Sequence, residues 1–270
     1  MRSAPLLFRL PFVLLSAVAA GLIWGQQATI APPKSRPMTQ GQEAALAAVR
    51  EYARNYIRDL PDYMCIQTTR REIEPDALHP FTSADEIREL VTFFGHRETY
   101  EVQSVNGRPV HLDRATLGGN VSFGEFGTMI ERIFDPVSGA ELGYQRRTTL
   151  RGSAVDVFTY RVSKAHGYTL RAGPPIREYI SDWSGLIYAD RATGAVLRIR
   201  MECTGIPPGF PVRHLNITVD YGPATIGTRD YFLPSHFELD QASDHGFAKN
   251  RGDYRNYRKF ETEATFSPEP

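Results

Sequence analysis

The sequence predicts a mostly β protein of the α+β class, with an N-terminal helix ahead of an antiparallel sheet. Residues 197–203 and 215–221 alternate apolar and polar side chains with period two, which is typical of strands with one buried and one solvated face. Apolar residues also recur at helical spacing between Ala45 and Leu60, and Pro61 ends that run. Many short strands in sequential order imply a meander of hairpins.

The first 25 residues have the anatomy of a secretory signal peptide. Arg2 and Arg9 precede an uncharged apolar run over residues 10–24. A membrane-spanning helix needs about 20 apolar residues, so the run predicts a cleaved signal at residues 1–25 and no permanent span; the alternative cleavage site follows Ala20. Residues 26–38 are rich in proline and are expected to form a flexible spacer. Residues 39–270 are expected to form a single β-rich globular domain.

Two helices are expected in that domain. Thr39 and Gln42 form a capping box before the first helix, whose apolar stripe is expected to pack on the sheet. Ser122 and Glu125 form a second capping box, and Pro136 ends the second helix. The apolar residues of this second helix follow helical spacing: Phe126, Met129, Ile130, Ile133 and Phe134.

Less regular strands and the turns between them complete the expected fold. The turns carry glycine, at Asn106-Gly107, Arg151-Gly152 and residues 183–185, 192–194 and 250–252. The strands are expected at residues 63–73, 86–94, 97–105, 142–151, 154–163, 176–182, 185–190, 230–239 and 253–266.

Charge and cysteine content limit the function classes. The chain has 31 basic and 31 acidic residues, and such a balance argues against nucleic-acid binding, which needs a clearly basic surface. The interleaved cations and aromatic residues at 249–260 therefore indicate a strand with solvated cations. Cys65 and Cys203 fit no metal-binding spacing. In an oxidising compartment they are expected to form a disulfide, and the alternative is two separate buried thiols.

No motif for chemistry is found, and no catalytic residue, metal site or cofactor is predicted. The glycines at 118–124 resemble a phosphate-binding loop, but Glu125 would place a carboxylate where the phosphate binds. Acidic residues near His96 and His245 are interpreted as solvated surface groups. A Ser-His-Asp set can assemble from distant positions, so a hydrolase is not excluded.

Several short segments resemble a known superfamily. Residues 185–190 (GLIYAD), 193–198 (TGAVLR), 219–221 (VDY) and 231–234 (YFLP), together with the export signal and the first helix, resemble the lipoprotein-carrier (LolA/LppX-like) superfamily of half-open β-barrels. Residues 124–127 (GEFG) and 256–260 (NYRKF) also resemble uncharacterised secreted proteins of acidobacteria.

The resemblance implies a strongly curved antiparallel meander sheet, with both helices packed on an apolar concave face. In the lipoprotein carriers that face holds acyl chains. The second helix would then fill or cover the face, and its ligand-binding residues would be Phe126, Met129, Ile130 and Phe134. The alternative is that these side chains complete a closed core.

The function expected on these grounds is that of an exported, non-enzymatic envelope protein, periplasmic or extracellular. It would bind a lipid or another apolar ligand, or an envelope protein partner. One alternative is a secreted hydrolase with a site assembled only in three dimensions, which requires a polar cleft. The other is a surface interaction module, which requires an exposed apolar patch or edge strand.

Overall fold

The computed structural model describes residues 37–75, 79–95, 97–112, 114, 117, 128–173 and 175–260. The predicted signal peptide, the predicted spacer up to residue 36 and the second capping box lie outside these residues. The helices are α1 (Gln40–Asp59) and α2 (Thr128–Phe134). The strands are β1 (Tyr63–Glu74), β2 (Thr82–Phe94), β3 (Arg97–Val105), β4 (Arg108–Leu112), β5 (Glu141–Leu150), β6 (Ser153–Val162), β7 (Tyr168–Ala172), β8 (Arg177–Asp190), β9 (Val196–Thr204), β10 (Val212–Ile226), β11 (Arg229–Ser243) and β12 (Gly246–Lys259).

The strands form one open antiparallel sheet. Its order is β4-β3-β2-β1-β12-β11-β10-β9-β8-β6-β5, and β7 pairs with the first part of β8. Within the described residues no pairing joins β4 to β5, so the sheet does not close into a barrel. The predicted half-open sheet with two helices is confirmed. It is not one simple meander, because the first and last strands lie side by side, with Tyr63 opposite Lys259.

Both helices bury their apolar side chains in the main core of the sheet. Leu46, Val49 and Ala53 of α1 and Ile130 and Ile133 of α2 belong to one buried cluster with the side chains of the sheet. The predicted capping box begins α1, because the Thr39 backbone N–H donates to the Gln42 side chain at 2.9 Å and the Gln42 N–H donates to the Thr39 hydroxyl at 3.4 Å. Capping and burial therefore act together to fix α1.

Two predicted turns are wrong, because their glycines lie inside strands. Gly185 lies within β8 opposite Met201, where an added Cβ would clash with the backbone carbonyl of Arg200 on the neighbouring strand and come 2.9 Å from the ring of Tyr160. Gly252 lies within β12 opposite Phe237, and a Cβ there would come 1.9 Å from that ring. Gly185 makes room for a backbone carbonyl of the neighbouring strand and Gly252 for an aromatic ring, and such close approaches are a second reason for glycine in a strand.

The predicted disulfide is wrong. Cys65 and Cys203 are both free and buried. Cys65 lies on β1 and Cys203 on β9, and three strands separate these two in the sheet. At a strand spacing of about 4.8 Å the sheet path between them is about 19 Å, whereas bonded cysteines need Cα atoms within about 7 Å. The alternative of two separate buried thiols describes the structure.

Candidate ligand-binding site

A groove of about 500 Å³ lies between the second half of α1 and the tip of the β10–β11 hairpin. We call it the α1 groove. Its volume is within the range of small-molecule sites. It is lined by Ala48, Glu51, Tyr52, Asn55, Tyr56 and Asp59 of α1, by Thr193, and by Pro223, Arg229, Asp230, Tyr231 and Phe232 of the hairpin.

The turn between β8 and β9 contributes Thr193 to the lining of the α1 groove. The Asp190 carboxylate accepts hydrogen bonds at 3.0 Å from the backbone N–H groups of Ala192 and Thr193, which fixes the turn. Gly194 follows with φ of +74°, and an added Cβ would lie 2.8 Å from the backbone of Ala48. Only glycine combines this left-handed conformation with so close an approach to the helix. The turn therefore sets the position of α1.

The other wall of the groove is a hairpin arm, which we define as residues 221–234. In the described residues β9 pairs with β10 only over residues 216–220, and β12 pairs with β11 only from His236 onward. The arm therefore pairs only with itself. Thr225 donates to the Asp230 carboxylate at 2.7 Å within the arm, and the Tyr257 hydroxyl donates to the Pro234 carbonyl at 2.5 Å at its base. The arm is thus a two-stranded extension of the sheet beside α1, and it pairs with no third strand among the described residues.

Aromatic rings form the apolar part of the α1 groove. The rings of Tyr52 and Tyr56 lie 5.9 Å apart, and Tyr56 also meets Tyr221 edge-on at 6.4 Å. Phe232 is 36% exposed, although it is a large apolar side chain. Burial raises the pKa of the Tyr52 and Tyr56 hydroxyls above the ordinary value, so both stay neutral. Tyr56 is only 8% exposed, so the neutral aromatic surface that solvent reaches comes from Tyr52 and from Tyr231 and Phe232 of the arm.

Charged side chains surround this aromatic surface. Glu51, Asp59 and Asp230 contribute carboxylates, and Arg229 contributes the one guanidinium of the lining. Asp59 is hydrogen-bonded to Arg58 at 2.9 Å, and this bond holds its pKa below the usual value. The Arg229 guanidinium lies 5.7 Å from the centre of the Tyr231 ring. More negative than positive groups therefore line the groove.

A second groove, of about 280 Å³, lies on the β12 side of the arm. Its walls include Pro223 and Leu233 of the arm and residues 254–257 of β12. Asn256 has φ of +59°, and the β1–β12 register is irregular near this point. Pro223 lines both grooves, so the arm stands between two concave surfaces.

The predicted ligand residues on α2 are placed differently. Phe126 lies outside the described residues. Met129 and Ile130 are 5% and 0% exposed, and Phe134 is partly buried against the same core. Arg132 of α2 donates to the Gly167 carbonyl and lies 5.2 Å from the Trp183 ring. None of Met129, Ile130 and Phe134 lines either groove, and their role as ligand contacts stays a prediction.

A histidine–carboxylate pair lies elsewhere on the sheet. His236 Nδ1 is 3.0 Å from Asp253, but its Nε2 faces Glu238 at 3.7 Å. A hydrolytic triad places a nucleophilic hydroxyl at that second nitrogen. In the part of the chain that the structure describes, no group of three or more histidine, cysteine, aspartate or glutamate side chains is suited to hold a metal ion.

A buried polar cluster connects β1, β2 and the segment after β4. Gln67 donates to Thr69 at 2.9 Å and to Glu89 at 3.3 Å, and Arg114 Nε lies 3.3 Å from Glu89. The Arg114 guanidinium also stacks 3.8 Å above the Tyr100 ring. The side chains of the Arg114–Glu89 pair are only 6% and 2% exposed. These contacts hold the three segments together inside the fold, and none of these residues lines either groove.

The two end strands of the main sheet, β4 and β5, are protected against pairing with another strand. Edge strand β4 contains Pro109, and edge strand β5 has a register irregularity between Tyr144 and Arg146, followed by the exposed Arg147. Proline, bulges and charges are the usual means of preventing edge-to-edge association. These edges are therefore poor templates for an added strand.

No sequence motif marks the α1 groove. Tyr52 and Tyr56 belong to the apolar stripe of the predicted helix, and Tyr231 and Phe232 lie in a predicted strand. The only available signal was the adjacent pair of aromatic residues Tyr231-Phe232, since a strand with one solvated face places just one of two neighbours inside.

No protein-family profile matches this chain, and no curated protein matches it. Among solved structures it is similar to a LolA superfamily protein from Nitrosomonas europaea, with 10% identity, TM-score 0.38, and 83% of this chain and 97% of that chain covered. It is also similar to a DUF1329 family protein from Desulfovibrio piger, with 10% identity, TM-score 0.42 and coverage of 85% and 96%. A third is the lipoprotein LppX from Mycobacterium tuberculosis, with 9% identity, TM-score 0.29 and coverage of 82% and 98%. The superfamily that the sequence motifs resemble is among these matches, but at such TM-scores they carry no inference about function.

Proposed function

We propose that this chain is a non-enzymatic binding protein of the cell envelope, and that it takes a lipid or another apolar ligand in the α1 groove. One observation supports this above all. A groove of about 500 Å³ exposes aromatic surface between a helix and a hairpin arm. Exposed aromatic side chains in a concave site are typical of apolar ligand binding.

The composition of the groove favours binding over hydrolysis. Its lining contains no histidine, serine or cysteine, and Thr193 supplies its one aliphatic hydroxyl. Nucleophilic catalysis needs a base within hydrogen-bond reach of the nucleophile. The Thr193 hydroxyl donates to the Asp190 carboxylate at 3.0 Å, but the same oxygen also accepts from the backbone N–H groups of Ala192 and Thr193, so this pair holds the turn together.

Export is part of the proposal. Residues 1–25 would be removed as a signal peptide, residues 26–38 would link the export signal to the fold, and residues 39–270 would be the functional domain. The mature chain would then act in the periplasm or outside the cell. Neither α1 nor any other described helix has the length and apolarity needed to cross a membrane. Sequencing the N-terminus of the chain after expression in a Gram-negative host tests the cleavage site.

The first experiment is native mass spectrometry of the mature protein, purified gently from its own envelope and followed by organic extraction. We expect a stoichiometric apolar adduct. The second is calorimetric titration with monomeric dodecyl maltoside, a neutral probe with a single apolar tail. An apo mass that persists after incubation with envelope lipids, together with no heat of binding for the probe, would overturn the proposed function.

A matched pair of variants tests whether the ligand binds in the α1 groove. Phe232→Ala removes an aromatic side chain of the groove that is 36% exposed, and we expect the affinity for dodecyl maltoside to fall about fivefold. Phe81→Ala is the control, because Phe81 is 38% exposed and lies outside both grooves. Equal effects of the two substitutions would mean that the probe does not bind in the α1 groove.

A further inference from the structure

The arginines of α1 and its carboxylates near the groove lie on two separate stripes of the helix. Arg50, Arg54 and Arg58 recur every four residues on one exposed stripe of the helix. Glu51, Asn55 and Asp59 form the neighbouring stripe, rotated by about 100°, and this second stripe lines the α1 groove. Two of the three carboxylates of the helix, Glu51 and Asp59, therefore line the groove, and none of its three arginines does.

The hairpin arm contributes another negatively charged residue to the groove. Asp230 contributes a third carboxylate to the groove, and one of its oxygens accepts a hydrogen bond from Thr225 at 2.7 Å. Glu51 is exposed and forms no ion pair with any described residue. Asp59 is partly neutralised by Arg58. A charged ligand group at the rim would therefore meet an acidic field.

A cation already lies on the aromatic surface of the groove. The guanidinium of Arg229 is 5.7 Å from the centre of the Tyr231 ring, within the distance at which a ring face attracts a cation. Arg229 is exposed at the tip of the arm, so its side chain can leave without unfolding a packed element. The chain's own cation thus marks a position that a ligand cation can take.

From these three observations we infer that the α1 groove selects amphiphiles with an ammonium head group over those with an anionic head group. This inference rests on the proposed function and adds the charge of the ligand. The apolar tail lies against the tyrosine rings, and the ammonium group displaces Arg229 from Tyr231 and faces Glu51 and Asp230. Aromatic faces combined with carboxylates are suited to a quaternary ammonium group, because it is attracted to both and needs no hydrogen-bond acceptor.

The test compares three amphiphiles of equal tail length below their micelle concentrations: dodecyltrimethylammonium, dodecyl maltoside and laurate. Calorimetric titration at low salt should give the tightest binding for dodecyltrimethylammonium and the weakest for laurate, with a ratio of at least about fivefold between them. The ratio should fall as salt is added, because these charges are exposed. Equal affinities for all three would overturn the inference and leave the proposed function intact, whereas binding of none would overturn both.

Substitutions of the charged groove residues should change the affinity for dodecyltrimethylammonium in opposite directions. Glu51→Gln and Asp230→Asn should each weaken dodecyltrimethylammonium about two- to fivefold and leave dodecyl maltoside unchanged. Arg229→Met should strengthen dodecyltrimethylammonium. Glu141→Gln is the control, because Glu141 is an exposed carboxylate on β5, away from the groove. If the protein instead binds laurate most tightly, and Arg229→Met abolishes that binding, then Arg229 pairs with an anionic head group and the inference is wrong.

Discussion

The two helices contact the same sheet but differ in what their other sides do. The side chains of Met129, Ile130 and Ile133 in α2 are buried in the core, with Ile130 at 0% and Ile133 at 1% exposure. The α1 helix buries Leu46 and Val49 to a similar extent, yet its neighbouring stripe, with Tyr52, forms the wall of a groove. The difference shows that a concave apolar face can be closed at one helix and remain open beside another. Stability is expected to depend on α2, and binding on the groove side of α1.

Truncating the core of α2 should have the largest effect. Ile130→Ala removes a fully buried side chain, and we expect the free energy of unfolding, measured in urea, to fall by about 2–5 kcal/mol. The affinity of the folded protein for dodecyl maltoside should not change. A large loss of affinity with the fold intact would show that α2 contacts the ligand, as the resemblance to the lipoprotein carriers implies.

Displacing α1 should affect both properties. Gly194→Ala forces a Cβ to within 2.8 Å of Ala48 at a φ of +74°, and it should cost about 1–3 kcal/mol and weaken binding in the groove. Gly107→Ala is the control, because Gly107 has φ of +72° with nothing within 4 Å of the added atom. The two variants share the backbone strain, so only Gly194→Ala should change the affinity.

The buried thiols should make the core sensitive to high pH. Burial raises the pKa of Cys203 from 9.0 to about 12. Between these values the unfolded chain has lost a proton that the folded chain retains, so stability falls as pH rises. Cys203→Ala should reduce that slope by up to about 1.4 kcal/mol per pH unit between pH 9 and 12. Denaturant titrations across this range measure the slope, and an unchanged slope would mean that Cys203 ionises freely in the folded state.

Removing the helix cap should have the smallest effect. Thr39→Ala deletes the hydroxyl that accepts from the Gln42 N–H, and a cap of this kind is worth about 1 kcal/mol. The groove begins at Ala48, more than two turns later, so the affinity for dodecyl maltoside should stay the same. A parallel loss of affinity would indicate that α1 shifts as a rigid unit.

Local patterns predicted most of the secondary structure. The third strand was expected at residues 97–105, and β3 covers Arg97–Val105. Strands β4 and β7 were not predicted, because each has only five residues and too few alternations to give a periodic signal. Gly185 and Gly252 misled the turn assignment because the sequence does not show which group approaches a glycine across the sheet.

The candidate site was harder to predict, since it depends on long-range geometry. Tyr52 and Tyr231 line the same groove although they are far apart in sequence. A helical pattern cannot distinguish a tyrosine that faces the core from one at the margin of a groove. The cysteine pairing failed for the same reason, because the strand order between Cys65 and Cys203 follows from the β1–β12 pairing, which no local signal reveals.

The β1–β12 pairing limits the order in which the strands of the sheet can pair. The strands at its two ends, β1 and β12, meet in the middle of the sheet, so the β1–β4 ribbon has no partner until the last strand arrives. A chain that emerges from a secretion channel N-terminus first would have to keep Tyr63–Glu74 unpaired on one side until Gly246–Lys259 follow.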